Sequence, residues 1–235
     1  FDVTEEPLIM EVPQIDDRYY SIQLLDAYIN NFAYIGRRTT GTQAGIYALV
    51  GPNWIGSLPK GVKQINTPTN LVGAAIRILI NHQAEEPVIH KLQDQFLTRP
   101  LSEYHNRDYK HVADVSKVRG LPDASDPFGV WAVINREMTL NPPGERDHGL
   151  MNQFSQIGLG PNQKQTFDHL RKPIQAGLLR ALEKAPDMVT ALGQGALTTK
   201  YINGWGFAES TIGTYGEDFA LRAGISRIGV AANSP

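Results

Sequence analysis

Cysteine is absent from the chain, which removes disulfides, thiol nucleophiles and thiolate metal sites together and leaves the redox compartment open. Long hydrophobic runs are absent too. The longest, Leu71 to Ile80, reaches about half the length needed to span a bilayer and carries Arg77 inside it. It reads as a buried strand or short helix, so a soluble chain without a membrane span is expected. Charge of one sign is also missing: 22 Lys and Arg against 24 Asp and Glu leave a formal net charge of -2. No basic block stands ready to neutralise a row of phosphates, so nucleic acid is not expected as a partner. There is no Asn-x-Ser/Thr acceptor, and Phe1 opens the chain without an initiator Met or a signal-like segment. A removed leader, a trimmed chain and a fragment all fit that beginning.

Several chemical signatures are missing as well. The six histidines, His82, His90, His105, His111, His148 and His169, never form the His-Glu-x-x-His pair that puts two ligands on adjacent helix turns. No metal site and no cofactor are expected. A Gly-x-Ser-x-Gly nucleophile elbow is lacking, and without cysteine the nucleophile choices shrink to hydroxyls, carboxylates and lysine. Gly158-Leu159-Gly160 follows no strand pattern and reads as a helix stop rather than a dinucleotide loop.

What is present begins with β punctuation. At 235 residues with 41% hydrophobic content the chain can bury one or two cores. Short β-branched and aromatic runs predict strands at Pro7 to Val12, Arg18 to Asp26, Asn31 to Arg37, Ile46 to Val50, Gly61 to Asn66 and Val72 to Ile80. Turn residues at 14–17, 41–45 and 51–53 separate them. No helix-length crossover intervenes, which favours an antiparallel sandwich over a parallel α/β sheet.

After Asn81 the period changes. Val88, Ile89, Leu92 and Phe96 share one face of a predicted helix from Glu85 to Phe96, and Pro100 to Leu121 reads as loop. Asp126-Pro127 starts a helix that Asn141-Pro142-Pro143-Gly144 stops. A shorter helix spans Asp147 to Ile157. A third covers Lys172 to Leu192, with Pro186 expected to kink or break it. A fourth runs from Gly216 to Ile228. The expected layout is a β-sandwich domain over 1–81, a connecting helix and loop over 82–123, and a helical domain over 124–235.

Arg37-Arg38-Thr39-Thr40-Gly41-Thr42 is the most suggestive cluster, since two guanidiniums, three hydroxyls and glycine-turn amides suit a carboxylate, phosphate or sugar oxygen. An ordinary hairpin, with Arg at the surface and Thr satisfying turn amides, accounts for the same residues. Asn203-Gly204-Trp205 reads as a fixed loop whose Trp205 serves either as an aromatic wall for a ligand or, by the simpler reading, as a plug between helices. Asp16, Asp17, Asp26 and Asp94 are the acid-base candidates. Asp94 lies beside the apolar face of its helix, though a surface or capping role explains it equally. Tyr19, Tyr20, Tyr28 and Tyr34 read as half-buried structural residues.

Many short motifs occur together in one order. Arg18-Tyr19-Tyr20, Gln23-Leu24-Leu25-Asp26-Ala27-Tyr28, Asn31-Phe32-Ala33 and Arg38-Thr39-Thr40-Gly41-Thr42 are followed by Val50-Gly51-Pro52, Trp54, Leu58-Pro59 and Pro68-Thr69-Asn70. Leu92-Gln93-Asp94-Gln95, Asn203-Gly204-Trp205, Tyr215-Gly216 and Leu221-Arg222-Ala223 come later. In these the chain resembles the bacterial domain of unknown function 1254 family. The resemblance implies an α+β fold, an antiparallel immunoglobulin-like β-sandwich followed by a small helical bundle, in an exported periplasmic or secreted protein. It also implies a preceding segment and a following domain of unknown function 1214, neither present here. One sheet edge near Phe1 and the apolar stripe of Ala220, Ile225 and Ile228 are therefore expected to seek a partner, either a homo-oligomer or the missing domain.

The functional expectation is a cell-envelope binding or interaction module for a small polar or anionic ligand, held in a cleft between sandwich and helices. Its candidate ligand-binding residues are Arg37, Arg38, Thr39, Thr40, Thr42, Asp94, Asn203, Trp205 and Tyr215. The alternative is a hydrolase acting on a polar small molecule, with Arg37 or Arg38 stabilising negative charge and a carboxylate as base. Either way the 39–42 turn and the 203–205 loop are expected at one cavity.

Overall fold

Alternation along the second strand sets the layers. Tyr20, Ile22 and Leu24 point to one side, and all three lie in the largest apolar cluster with Met10, Val12, Ile35 and Leu49. The computed structural model describes residues 1–110, 122–123, 125–164, 166–196, 200–207 and 211–228. All six predicted strands form: β1 (Leu8–Val12), β2 (Tyr20–Leu25), β3 (Asn31–Gly36), β4 (Gly45–Val50), β5 (Lys63–Asn66) and β6 (Gly73–Ile78). A seventh, β7 (Leu97–Pro100), joins them. One sheet has the order β5-β4-β1-β7 and the other β3-β2-β6. They enclose the common core as a two-sheet sandwich.

Three findings differ from the expectation. The β4 and β5 strands pair in parallel, Tyr47 opposite Lys63 and Val50 opposite Asn66. The connecting loop makes this possible: it lays Trp54, Leu58 and Val62 over Ile9, Ala48 and Val50, so the chain crosses the sheet's outer face without a helix. Strand β7 falls in the segment expected to be helix and loop, where it pairs with β1. Third, β1 is flanked on both sides, by β4 and β7, and the stretch before it pairs through Asp2 and Leu71 with Val3 N–H donating to the Asn70 carbonyl at 2.8 Å. The start of the chain is therefore not an open edge.

The helices are α1 (Glu86–Gln93), α2 (Gly129–Leu140), α3 (His148–Ser155), α4 (Lys172–Ala196) and α5 (Phe219–Ile228). Helix α1 brings Leu92, with Phe96 just beyond it, against the sandwich core. The Asp126 carboxylate accepts from the Phe128 amide at 2.8 Å, and Gly158, at φ 79°, follows the turn that ends α3. Helix α4 runs through Pro186 rather than ending there. Proline supplies no amide to the helix there, and the Thr190 hydroxyl donates to the Pro186 carbonyl at 2.8 Å. Of residues 203–205, expected as a loop, Asn203 and Gly204 form the two-residue turn of a hairpin between β8 (Lys200–Ile202) and β9 (Trp205–Phe207), and Trp205 opens β9. Asn203 and Gly204 both have positive φ, the geometry an Asn-Gly pair favours.

Among the described residues the helical half divides between two apolar clusters. Phe128, Leu159, Phe167, Leu170 and Leu178 join α2 and α4 with the segments between them, and Phe128 stacks on Phe167 at 5.4 Å. Ile212, Tyr215, Leu221 and Ile225 hold α5 against Ile29 of the sandwich. Ile225 is thus buried, while Ala220 is exposed. The loop read as ending at Leu121 lies outside the described residues from 111 onward, as do residues 229–235.

Candidate functional site

Where the sandwich meets the helical half, a cleft of about 480 Å³ opens, within the usual range of small-molecule sites. Three walls line it: Asp26, Tyr28 and Asn30 after β2; Glu145, Arg146 and Asp147 in the α2–α3 connection; and Thr214, Gly216 and Arg222 at the entry to α5.

The first wall is built around Asp26, whose carboxylate accepts from the Tyr28 amide, the Asn30 amide and Asn30 Nδ2 at 2.8, 2.8 and 2.9 Å. This closes a tight loop and forces Ile29 to φ 58°, a rare conformation for a β-branched residue that costs about 1–2 kcal/mol. The compensation is visible in the packing, because Ile29 meets the cluster that anchors α5.

Helix α2 is bolted to this wall. A helix leaves its last carbonyls without intrahelical partners, and here the sandwich supplies them. Tyr28 Oη donates to the Asn141 carbonyl at 2.6 Å, and Asn70 Nδ2 donates to the Leu140 carbonyl at 2.8 Å. The Leu71 amide donates in turn to Asn141 Oδ1 at 2.8 Å. Burial first, then the Asp26 and Asp147 carboxylates, pushes the Tyr28 phenol far above its ordinary range, against an opposing pull from Arg222. Tyr28 therefore acts as a neutral donor at the base of the cleft.

Arg222 forms the opposite side. Its guanidinium lies 5.7 Å from the ring centres of both Tyr215 and Phe219, and Nη2 donates to the Gly216 carbonyl at 3.2 Å and, weakly, to Asn30 Oδ1 at 3.4 Å. Its Nε is buried without a partner among the described residues. Arg146 approaches the same place, its Nη1 3.7 Å from where a side chain on Gly216 would begin. Two guanidiniums thus share a cleft with three carboxylates.

The nine residues proposed from sequence are scattered by the fold. The Arg37 guanidinium donates to the Asp16 and Arg18 carbonyls at 3.0 and 3.3 Å, and Arg38 is exposed. The Thr39 hydroxyl donates to the Tyr34 carbonyl at 3.0 Å, the Thr40 hydroxyl accepts from the Gly36 amide at 3.0 Å, and the Thr42 carbonyl accepts from the Ile15 amide at 2.8 Å. Hydrogen bonds from Gln14 and then Thr42 hold Asp16 below the ordinary carboxylate range. This turn follows Gly36, whereas the cleft lies beyond Asn31 at the other end of β3, one strand length or roughly 20 Å away. Asp94 caps the C-terminus of α1 at the surface. Asn203 and Trp205 sit on the β8–β9 hairpin, and Trp205 is 74% exposed, so it plugs no joint between helices. Tyr215 is buried beneath Arg222, adjoining the cleft residues Thr214 and Gly216. Neither the 39–42 turn nor the 203–205 hairpin lines the cleft. Sequence reasoning did not gather Tyr28, Asn141, Arg146 and Arg222 into one place, although the Asp26 to Asn30 stretch carries the side chains of a tight carboxylate-closed turn.

The architecture is that of a two-sheet sandwich with helices docked at one end and a charged cleft at the joint. Residues 1–100 match the model of a family described as a protein of unknown function, DUF1254. The crystal structure of the VPA0106 protein from Vibrio parahaemolyticus is similar in fold, with a TM-score of 0.72 and 23% identity. That likeness covers 100% of this chain and 56% of the other, so the chain spans little more than half of that protein's length. No curated protein matches the chain. Among the described residues no helix is long and apolar enough to cross a membrane, and no group of three His, Asp or Glu side chains is placed to hold a metal ion.

Proposed function

We propose that the chain is a binding module whose cleft takes a small polar ligand carrying both an anionic and a cationic group. The observation behind this reading is the mixed lining: Arg146 stands between Glu145 and Asp147 on one wall and faces Arg222 and Asp26 on the others. Asp26 is occupied by its own loop and Arg222 by Gly216 and two rings, so the 145–147 wall offers the adaptable charges. A carboxylate on the ligand would meet Arg146, with charge-assisted bonds stronger than neutral ones. An ammonium on the ligand would meet Asp147 or Glu145. The proposed setting is the bacterial cell envelope, which rests on the family resemblance and is checked by fractionating cells that express the native gene.

Thermal unfolding in the presence of matched compounds tests the reading: a free amino acid, its amide lacking the carboxylate, and its deaminated acid lacking the ammonium. Ligand at about a hundred times its dissociation constant stabilises by about 2.7 kcal/mol, which raises the melting temperature by several degrees in a domain of this size. The zwitterion should give the largest shift. Equal shifts from all three, or none, would remove the mixed-charge reading.

A further inference from the structure

A second cavity, of about 530 Å³, lies on the outer face of the β5-β4-β1-β7 sheet and shares no residue with the cleft. Arg99 of β7 forms its floor and is only 7% exposed. Its Nη2 pairs with Glu11 of β1 at 2.9 Å, and Nη1 donates to the Asn106 carbonyl at 2.7 Å. The third nitrogen, Nε, is buried with no partner among the described residues. A guanidinium taken out of water needs compensation at each donor, and one carboxylate balances only its charge. The cavity then adds more cation. Arg107 lines the same space, exposed at its rim, and His105 stands beside it, edge-on to Tyr104 at 4.9 Å. Two guanidiniums against the single Glu11 carboxylate leave an excess of positive charge facing an open pocket. A buried Arg–Glu pair serving the sheet alone gives no reason for Arg107 and His105 to converge on it.

We infer that this pocket is a second binding site, selective for a small oxyanion. Arg99 is the fixed element, oriented by Glu11 and Asn106. Arg107 is the adaptable one, closing over the anion from the rim. Because none of these residues touches the cleft, the inference stands whether or not the cleft binds a zwitterion.

Calorimetric titration of the intact chain with inorganic phosphate and, separately, acetate tests it at low ionic strength. Phosphate should bind more tightly than acetate, since it brings more charge and more acceptor oxygens. Arg107→Ala, at an exposed position that leaves the Arg99–Glu11 pair in place, should weaken phosphate at least about tenfold, the scale of one lost charge-assisted contact. Arg38→Ala, at an exposed position outside both pockets, should leave it unchanged. Absence of phosphate binding, equal affinity in Arg107→Ala, or loss of binding in Arg38→Ala would each overturn the assignment. Unchanged thermal unfolding of Arg107→Ala without phosphate would show that a lost affinity comes from the pocket.

Discussion

Replacing Tyr28 with Phe removes one hydroxyl and leaves the ring in place, so it isolates the bond between the sandwich and the end of α2. That bond spans 113 residues of sequence at 2.6 Å and ends on the carbonyl of Asn141, which is 1% exposed. Losing a hydrogen bond costs about 1 kcal/mol, and a buried carbonyl left without its donor adds to that, so the substitution should cost between about 1 and 3 kcal/mol. For a chain of this size each kcal/mol lowers the melting temperature by about 2–4 °C. Asn70→Ala removes the neighbouring bond to Leu140, and since both fix one helix end, the double variant should deviate from additivity by at least about 0.5 kcal/mol. Urea unfolding of the parent, both single variants and the double variant supplies the cycle. A Tyr28→Phe variant within 0.5 kcal/mol of the parent, or strict additivity with Asn70→Ala, would refute the claim that these side chains bolt the two halves together.

Gly213→Ala should be among the most damaging single changes, costing roughly 3 kcal/mol or more, because Gly213 sits at φ 87° and an added Cβ would stand 1.9 Å from Asn31 Nδ2; soluble yield and urea unfolding report it. Stability should fall with acid. Glu85 is held below its ordinary 4.5, first by the Asn81 amide and also by Arg18, so its contribution is complete above that value and disappears as pH drops through the lower folded value. Unfolding at pH 7, 4.5 and 3 should show the loss, and Glu85→Gln should flatten the slope. At the alkaline end the sign reverses. Tyr28 is shifted upward in the folded state, so stability should decline as pH rises past the ordinary tyrosine value of 10, and less steeply in Tyr28→Phe.

The strands were legible because burial on one face leaves a period of two, as Tyr20, Ile22 and Leu24 show. Helix ends were legible where one residue carries the instruction, as Gly158 does at φ 79°. Strand β7 was not, since Leu97-Thr98-Arg99-Pro100 is short and its Arg99 is buried by pairing with Glu11 rather than by its own character. The parallel β4–β5 pairing depends on a loop covering the sheet, a tertiary event with no local period. The Asn203-Gly204 hairpin carried a readable turn signal that was read only as a loop. The cleft was hidden for a different reason. Its residues come from positions 26–30, 145–147 and 214–222, and nothing in local spacing joins them. Asp26 stood out as a carboxylate, yet its partners are its own loop amides, while Arg146 carries no local mark and Arg222 only a place in the Leu221-Arg222-Ala223 motif, which does not tie it to positions 26–30 or 145–147.

The proposed function has the charged side chains at the joint between sandwich and helices bind one small molecule. Calorimetric titration of the intact chain and its Arg146→Ala variant, using the compound that gives the largest thermal shift, tests it most directly. One site per chain is expected in the parent, with affinity at least about tenfold weaker in the variant, the scale of a charge-assisted contact, and with unfolding in the absence of ligand unchanged. Equal affinity in the two proteins would contradict the account.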